Sequence, residues 1–321
     1  MVRPMTFMYS GQGSQYYQMG AELYQQNPRF KVWMDHCSEI CYPLLDCDLT
    51  DILYQSGQMQ EPFETLRYTN PSLIAIQYSL SRVLMEQGIE PAQTLGYSLG
   101  ELVSAIVSGC LDIEDGLILS IEAAKLFEDH TPQSGMLAVL SEKSLLQASP
   151  ELFKNVTVSG ENCQANFVVS GLASPINTLH AALREQGISS VLLPVRYGFH
   201  THLIDDVETQ FKALAKHCFF QQAQIPLLSL SQKKPLEHIS AEYLWDVFRQ
   251  PVYFEDGVTQ LIQRGYNKFI DLSPSATLST FLKYIDTDSL APNAEIYPTI
   301  SQFGSNQVTL ERLQNKLQAF A

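Results

Sequence analysis

Five consecutive residues, Gly96-Tyr97-Ser98-Leu99-Gly100, carry the sharpest chemical signal in the chain. A serine between glycines in this spacing suits an abrupt strand-to-helix turn, which leaves its hydroxyl open to substrate. The context fits. Thr94-Leu95-Gly96-Tyr97 reads as a short strand, and Leu99–Gly109 has small and apolar residues at helical spacing. A helix starting at Leu99 aims its unpaired N–H groups and positive dipole end at Ser98. The chemistry implied is nucleophilic attack by a serine.

Such a serine needs a base. The candidates are His36, His130, His180, His200, His202, His217 and His238. His36, His180 and His217 fall inside predicted helices and read as packing or surface residues. His200 and His202 follow a strand and Gly198, in a loop of the kind where α/β enzymes collect catalytic side chains. An extended chain sends both the same way, so the pattern alone leaves both open. The six cysteines form no CxxC pair and read as buried thiols in a reducing compartment. His36, Cys37, Cys41 and Cys47 do not read as a metal site: Cys37 and Cys41 share a helical face, but Cys47 lies beyond Pro43.

The elements that must hold these residues alternate. Thr6–Tyr9 reads as a buried strand leading into a Ser10–Ser14 loop. Ser72–Gly88 and a segment from Asp112 to about Asp129 read as helices. The middle is different. Strands at Met136–Leu140, Val156–Ser159, Phe167–Ser170 and Ser190–Pro194 enclose helices at Glu142–Phe153 and Pro175–Gln186, with Gly160–Asn166 as a turn. That order is β-α-β-β-α-β, a ferredoxin-like unit. It predicts a small subdomain over residues 131–196 inserted in a large α/β domain of residues 1–130 and 197–321. Later elements are expected at Leu203–His217, Tyr243–Phe248, Glu255–Arg264, Lys268–Asp271 and Val308–Phe320.

Composition bounds the partners. Of 321 residues, 45% are hydrophobic and 17% charged, which suits a folded chain of one large or two smaller domains. Lys+Arg is 20 against Asp+Glu 34, a net charge of −14 without a block of like charge. That spread acidity argues against nucleic acid or a bare anionic membrane as partner. No apolar run approaches the ~20 residues of a membrane span. Met1–Phe7 enters a strand-like run without a signal-peptide core, so a cytoplasmic protein is expected.

Four ordered motifs carry a resemblance that covers the whole chain. Gly11-Gln12-Gly13-Ser14-Gln15, Gly96–Glu101 (GYSLGE), Phe199-His200-Thr201 and Asp271-Leu272-Ser273-Pro274-Ser275 match GQGSQ, GHSLGE, FHS and a D/E-x-GPG-type turn. The chain resembles the malonyl-CoA:acyl carrier protein transacylase family, and more narrowly the free-standing acyl hydrolases of trans-acyltransferase polyketide synthase clusters. The resemblance implies an α/β-hydrolase-like large domain with an inserted ferredoxin-like small domain. It also implies Ser98 as nucleophile, His200 as base, a backbone carbonyl at Gln250 orienting that histidine, and the N–H groups of Gln12 and Leu99 as oxyanion hole. On this reading the Gln12 side chain is incidental.

Departures from the motifs bear on substrate. Malonyl-type members hold a carboxylate with an arginine, where this chain has Ala123. Lys125 lies about 200° round that helix, and Glu122 would repel a carboxylate if it faced the pocket. Tyr97 replaces the motif histidine, Ile204 a methionine and Asn166 a glutamine. Tyr97, Ala123, Phe199, Ile204 and Asn166 are assigned to the substrate pocket. An unpaired carboxylate buried there costs on the order of several kcal/mol. Arg196 reads as a surface or carrier-docking charge. The resemblance therefore implies an acyl hydrolase acting on neutral acyl groups carried by acyl carrier protein domains of a polyketide synthase. No cofactor is expected beyond the phosphopantetheine of the substrate. The alternatives are an acyltransferase moving malonyl or another acyl group, and a non-catalytic carrier-docking protein.

Overall fold

Phe7, Met8 and Tyr9 are all fully buried, so neither face of their strand meets water. Such continuous burial belongs to the centre of a parallel sheet covered on both sides. The computed structural model describes residues 4–285 and 294–318. In it, strands β1 (Met5–Tyr9), β2 (Gln93–Gly96), β7 (Leu227–Ser229), β8 (Lys234–Leu236), β10 (Lys268–Asp271) and β11 (Glu295–Pro298) make a six-stranded sheet. Its order is β11-β10-β1-β2-β7-β8, parallel except for the β7/β8 pair. β1 and β2 lie side by side with Tyr9 opposite Gly96. Their carboxyl ends therefore deliver the Ser10–Gln15 loop and the Ser98 turn to one place, where ligands bind in such sheets.

The second sheet contains β3 (Ser134–Val139), β4 (Thr157–Cys163), β5 (Asn166–Leu172), β6 (Ser190–Leu192) and β9 (Val252–Tyr253), in the order β6-β3-β5-β4-β9. Its first four members have the predicted ferredoxin-like order. The fifth comes from outside residues 131–196: β9 runs parallel to β4, pairing Gly160 with Val252 and Glu161 with Tyr253. A two-residue strand is too short to show any periodicity in sequence.

Several expected elements change. Gly160–Asn166 is not a turn. β4 continues to Cys163, and only Gln164 and Ala165 separate it from β5. Two register shifts in β4 explain the irregular sequence there. The expected helix Glu142–Phe153 is two pieces, Ser144–Ala148 and Pro150–Phe153, because Pro150 has no N–H to continue the first. The expected helix Leu203–His217 begins as a 3-10 turn, His202–Val207, and becomes α-helical over Glu208–Ala215.

The helix expected from Ser72 starts earlier, at Leu66, and passes through Pro71 to Met85. Tertiary bonds hold its first turns: Glu128 accepts from Arg67 N at 3.2 Å and pairs with its guanidinium at 2.6 Å. The last helix is Asn306–Gln318. Phe320, where that helix is expected to end, and Met1–Arg3 lie outside the described residues. No described helix is long and apolar enough to cross a membrane.

Candidate active site

Ser98 sits between β2 and the helix Leu99–Val107 with φ 53° and ψ −126°, a conformation L residues rarely adopt. The flanking glycines make it possible. A Cβ on Gly96 would lie 2.2 Å from Glu101 N, and one on Gly100 would lie 2.0 Å from Tyr9 O. Elbow, helix and β1 are thus pressed together closer than any side chain permits. Three residues on, the buried Glu101 accepts bonds from Ser231 N (2.8 Å) and Tyr243 Oη (2.9 Å) and anchors the same helix. Burial pushes its carboxyl up to about 7 despite these donors.

Ser98 Oγ lies 2.8 Å from His200 Nε2. His200 also has positive φ, 64°, and its backbone N–H donates to Phe248 O at 2.8 Å. Its Nδ1 is 2.7 Å from the carbonyl of Gln250. A carbonyl only accepts, so Nδ1 carries the proton and Nε2 is free to take one from Ser98. His202, left open by the sequence pattern, is exposed at the start of the 3-10 turn. His200 is 3% exposed, and burial lowers its pKa to about 4, against the opposing effect of the Gln250 carbonyl. The imidazole is therefore neutral, the form a base requires, at every pH above that value. We expect kcat/KM to fall on the acid side with a midpoint near pH 4 rather than at the ordinary histidine value of about 6.5. A pH–rate profile checks this, and an acid limb at the ordinary value would refute it.

The glycine loop closes the other side. A Cβ on Gly11 would come within 2.9 Å of Ser98 Cβ and 3.0 Å of Leu99 N. The loop is rigidly tied. Ser10 N donates to Gln77 Oε1 at 2.7 Å, Ser14 Oγ to Gly11 O at 2.8 Å, and Gly13 N to Gln15 Oε1 at 2.7 Å. Gln15 Nε2 reaches Pro194 O, at the edge of the second sheet, at 3.1 Å. The Gln12 side chain is not incidental: it donates to Thr69 Oγ1 at 2.8 Å and to Asn70 Oδ1, fixing the loop to the helix Leu66–Met85. Among the described residues, no group accepts from the N–H of Gln12 or of Leu99. Leu99 follows Ser98 directly, and Gln12 follows Gly11, which packs against Ser98 Cβ.

A cavity of about 270 Å³ opens from this loop between the two sheets. Tyr97 and Asn166 line it, together with Asn162, which sequence reasoning does not single out. Its walls are otherwise mainly apolar, with Leu193 and Phe281 among them, and among the described residues no lysine or arginine lines it. Ala123, Phe199 and Ile204 do not line this cavity. All three are buried in one apolar cluster, where the Phe199 ring meets Phe127 edge-on at 5.0 Å. The nearby charges are engaged elsewhere. Lys125 pairs with Glu122 at 2.8 Å, so Glu122 faces its own helix partner, and Arg196 pairs with Glu64 at 2.6 Å.

A hydroxyl held on a neutral, carbonyl-anchored imidazole, at the carboxyl edge of an α/β sheet with a second, smaller sheet beside it, defines an enzyme that moves acyl groups through a serine. The chain belongs to the acyl transferase domain family, whose match spans residues 6–320. It is 36% identical over 286 residues to the polyketide biosynthesis acyltransferase homolog PksD of Bacillus subtilis, covering 89% of this chain and 88% of that one. It is 32% identical over 318 residues to the homolog BaeD of Bacillus velezensis, covering 99% and 98%. Among solved structures, the malonyl-CoA:acyl carrier protein transacylase of Streptococcus pneumoniae superposes with a TM-score of 0.79 at 25% identity, over 97% of this chain and 99% of that one. The α/β-hydrolase-like large domain with a small domain is that of these acyltransferases.

Proposed function

We propose that this acyltransferase-family enzyme works as an acyl hydrolase, releasing neutral acyl groups from acyl carrier protein thioesters of a polyketide synthase. The observation that carries the reading is a serine–histidine pair beside a cavity that no described lysine or arginine lines. His200 Nε2 takes the Ser98 proton as Oγ attacks the thioester carbonyl. The oxyanion is met by the N–H groups of Gln12 and Leu99. The C–S bond breaks, His200 protonates the leaving thiolate, and an acyl-Ser98 ester remains. Water then attacks that ester, His200 taking its proton and returning it to Ser98 Oγ as the free acid departs. The only prosthetic group involved is the phosphopantetheine of the substrate.

Neutral acyl selectivity follows from charge. Lys125 and Arg196 are paired on the surface, and Ala123 stands in an apolar cluster. A malonyl carboxylate brought beside Ser98 would lose its water and gain no partner. We expect acetyl- and butyryl-carrier protein to be cleared at least tenfold faster than malonyl-carrier protein, a difference of about 1.4 kcal/mol or more. Intact-protein mass spectrometry reads each carrier, and the free acid is measured in parallel. Equal or faster malonyl turnover refutes the neutral-acyl reading. Appearance of the acyl group on a second carrier, in place of free acid, makes the protein a transferase. Direct comparison of substrates is a cleaner test than Ala123→Arg, since a guanidinium at 123 would enter the cluster of Phe199 and Ile204.

A further inference from the structure

Ser98 and His200 meet through a single bond, and behind that bond lies a closed ring of contacts. His200 hangs on the end of the helix Ala241–Arg249: its N–H donates to Phe248 O at 2.8 Å and its Nδ1 to Gln250 O at 2.7 Å. The first turn of that same helix carries Tyr243, whose hydroxyl donates to Glu101 Oε2 at 2.9 Å. Glu101 stands in the first turn of the helix that starts beside Ser98. The ring therefore runs from Ser98 along its helix to Glu101, across to Tyr243, along the second helix to Gln250, and through His200 back to Ser98 Oγ. A third element is tied to the same carboxylate. Ser231, just past β7, gives it its N–H at 2.8 Å and its hydroxyl at 3.3 Å, and the neighbouring Gln232 donates to Asp246 on the second helix at 3.1 Å.

Glu101 is 1% exposed and Tyr243 2%. A carboxylate so deep is costly to bury, and an apolar side chain of its size would fill the same space without that cost. What the carboxylate adds is direction, since its two oxygens take donors from two separate elements. Burial and the neighbouring carboxylate hold the Tyr243 hydroxyl protonated well above its ordinary range, so it remains a donor. The nine-residue helix that follows is a rigid strut of roughly 13 Å. Fixing its first turn fixes where its last carbonyls hold the imidazole. We propose that Glu101 is a positioning residue: through Tyr243 it holds the helix Ala241–Arg249 against the elbow helix and so sets the Ser98–His200 bond. The proposal rests on the reading of Ser98 and His200 as the working pair, and not on which acyl group they handle or what accepts it.

The test uses the intact protein and diisopropyl fluorophosphate, a reagent that needs no carrier. Ser98 Oγ attacks phosphorus, the P–F bond breaks, fluoride leaves, and the serine proton passes to His200 Nε2. Intact mass follows the rate of labelling. Tyr243→Phe should label roughly tenfold more slowly and Glu101→Ala roughly a hundredfold, the order of loss that follows a small displacement of reacting groups. Glu101→Gln, whose amide still accepts from Ser231 N and donates to Tyr243 Oη, should lose less than Glu101→Ala. The background separates alignment from mere structure. In His200→Ala, adding Tyr243→Phe should change the residual rate less than about twofold, because the bond being aligned is already gone. An undiminished rate in Tyr243→Phe, or an equal loss with His200 absent, overturns the proposal. If Glu101→Ala does not fold, Tyr243→Phe in the two backgrounds decides alone. Absence of an adduct on Ser98 of the unaltered protein refutes the pair, and this strut with it. The expected labelling pattern without release of free acid from acyl carriers refutes the hydrolase reading and supports the strut.

Discussion

Ser98→Ala is expected to abolish the acyl-enzyme and to slow turnover by roughly four to six orders of magnitude, as for other nucleophiles removed from a working pair. The alanine inherits a backbone already held at φ 53° by Gly96 and Gly100, and it removes one oxygen. The loss should therefore appear in chemistry and not in folding. Intact mass after exposure to butyryl-carrier protein reads the adduct directly, with thermal unfolding as control. Ser190 Oγ also meets a histidine, His180 Nδ1 at 2.8 Å, but it lies on strand β6 of the second sheet and not at a strand-to-helix elbow. The nearest alternative in the loops, Ser14, spends its hydroxyl on Gly11 O and Ser10. A butyryl adduct of undiminished yield in Ser98→Ala would move the chemistry to another residue.

His200→Ala should cost a similar number of orders of magnitude, because nucleophile and base act as one unit. His202→Ala should change turnover less than about threefold, since surface side chains away from a site contribute little. The structural ground is the contrast between the two residues. His200 is locked between Ser98 Oγ and Gln250 O, whereas His202 is exposed at the start of the 3-10 turn. Parallel steady-state assays of the two variants suffice. A larger loss in His202→Ala would contradict the arrangement of the Gly198 loop.

What could be read in the sequence was what local rules dictate. The elbow followed from glycine spacing, and the ferredoxin-like order followed from strand and helix lengths. The choice of His200 over His202 did not follow from pattern, because both lie two residues apart in a loop. What sets His200 apart is its bond to the carbonyl of Gln250, fifty positions away in the chain. Asn162 was hidden because a bulge breaks the alternation that would have marked it as part of a strand. The helix through Pro71 was clipped because a local rule against proline was overridden by Arg67–Glu128 and the Gln12 bonds. The burial of Ala123, Phe199 and Ile204 away from the cavity was equally out of reach, since depth in a core is a property of packing.

The placement of β9 has a bearing on assembly. Its two residues follow Gln250 almost directly, and they complete a sheet whose other strands end at Leu192. A chain emerging from the ribosome holds every strand of the ferredoxin-like unit well before it holds the carbonyl that aligns His200. Pairing so distant in sequence is slow, because the loop must close before the contact can repay it. One short segment, residues 250–253, therefore supplies both the anchor of His200 and the fifth strand of the second sheet. Until that segment is in place, His200 lacks the carbonyl that holds its Nδ1 proton.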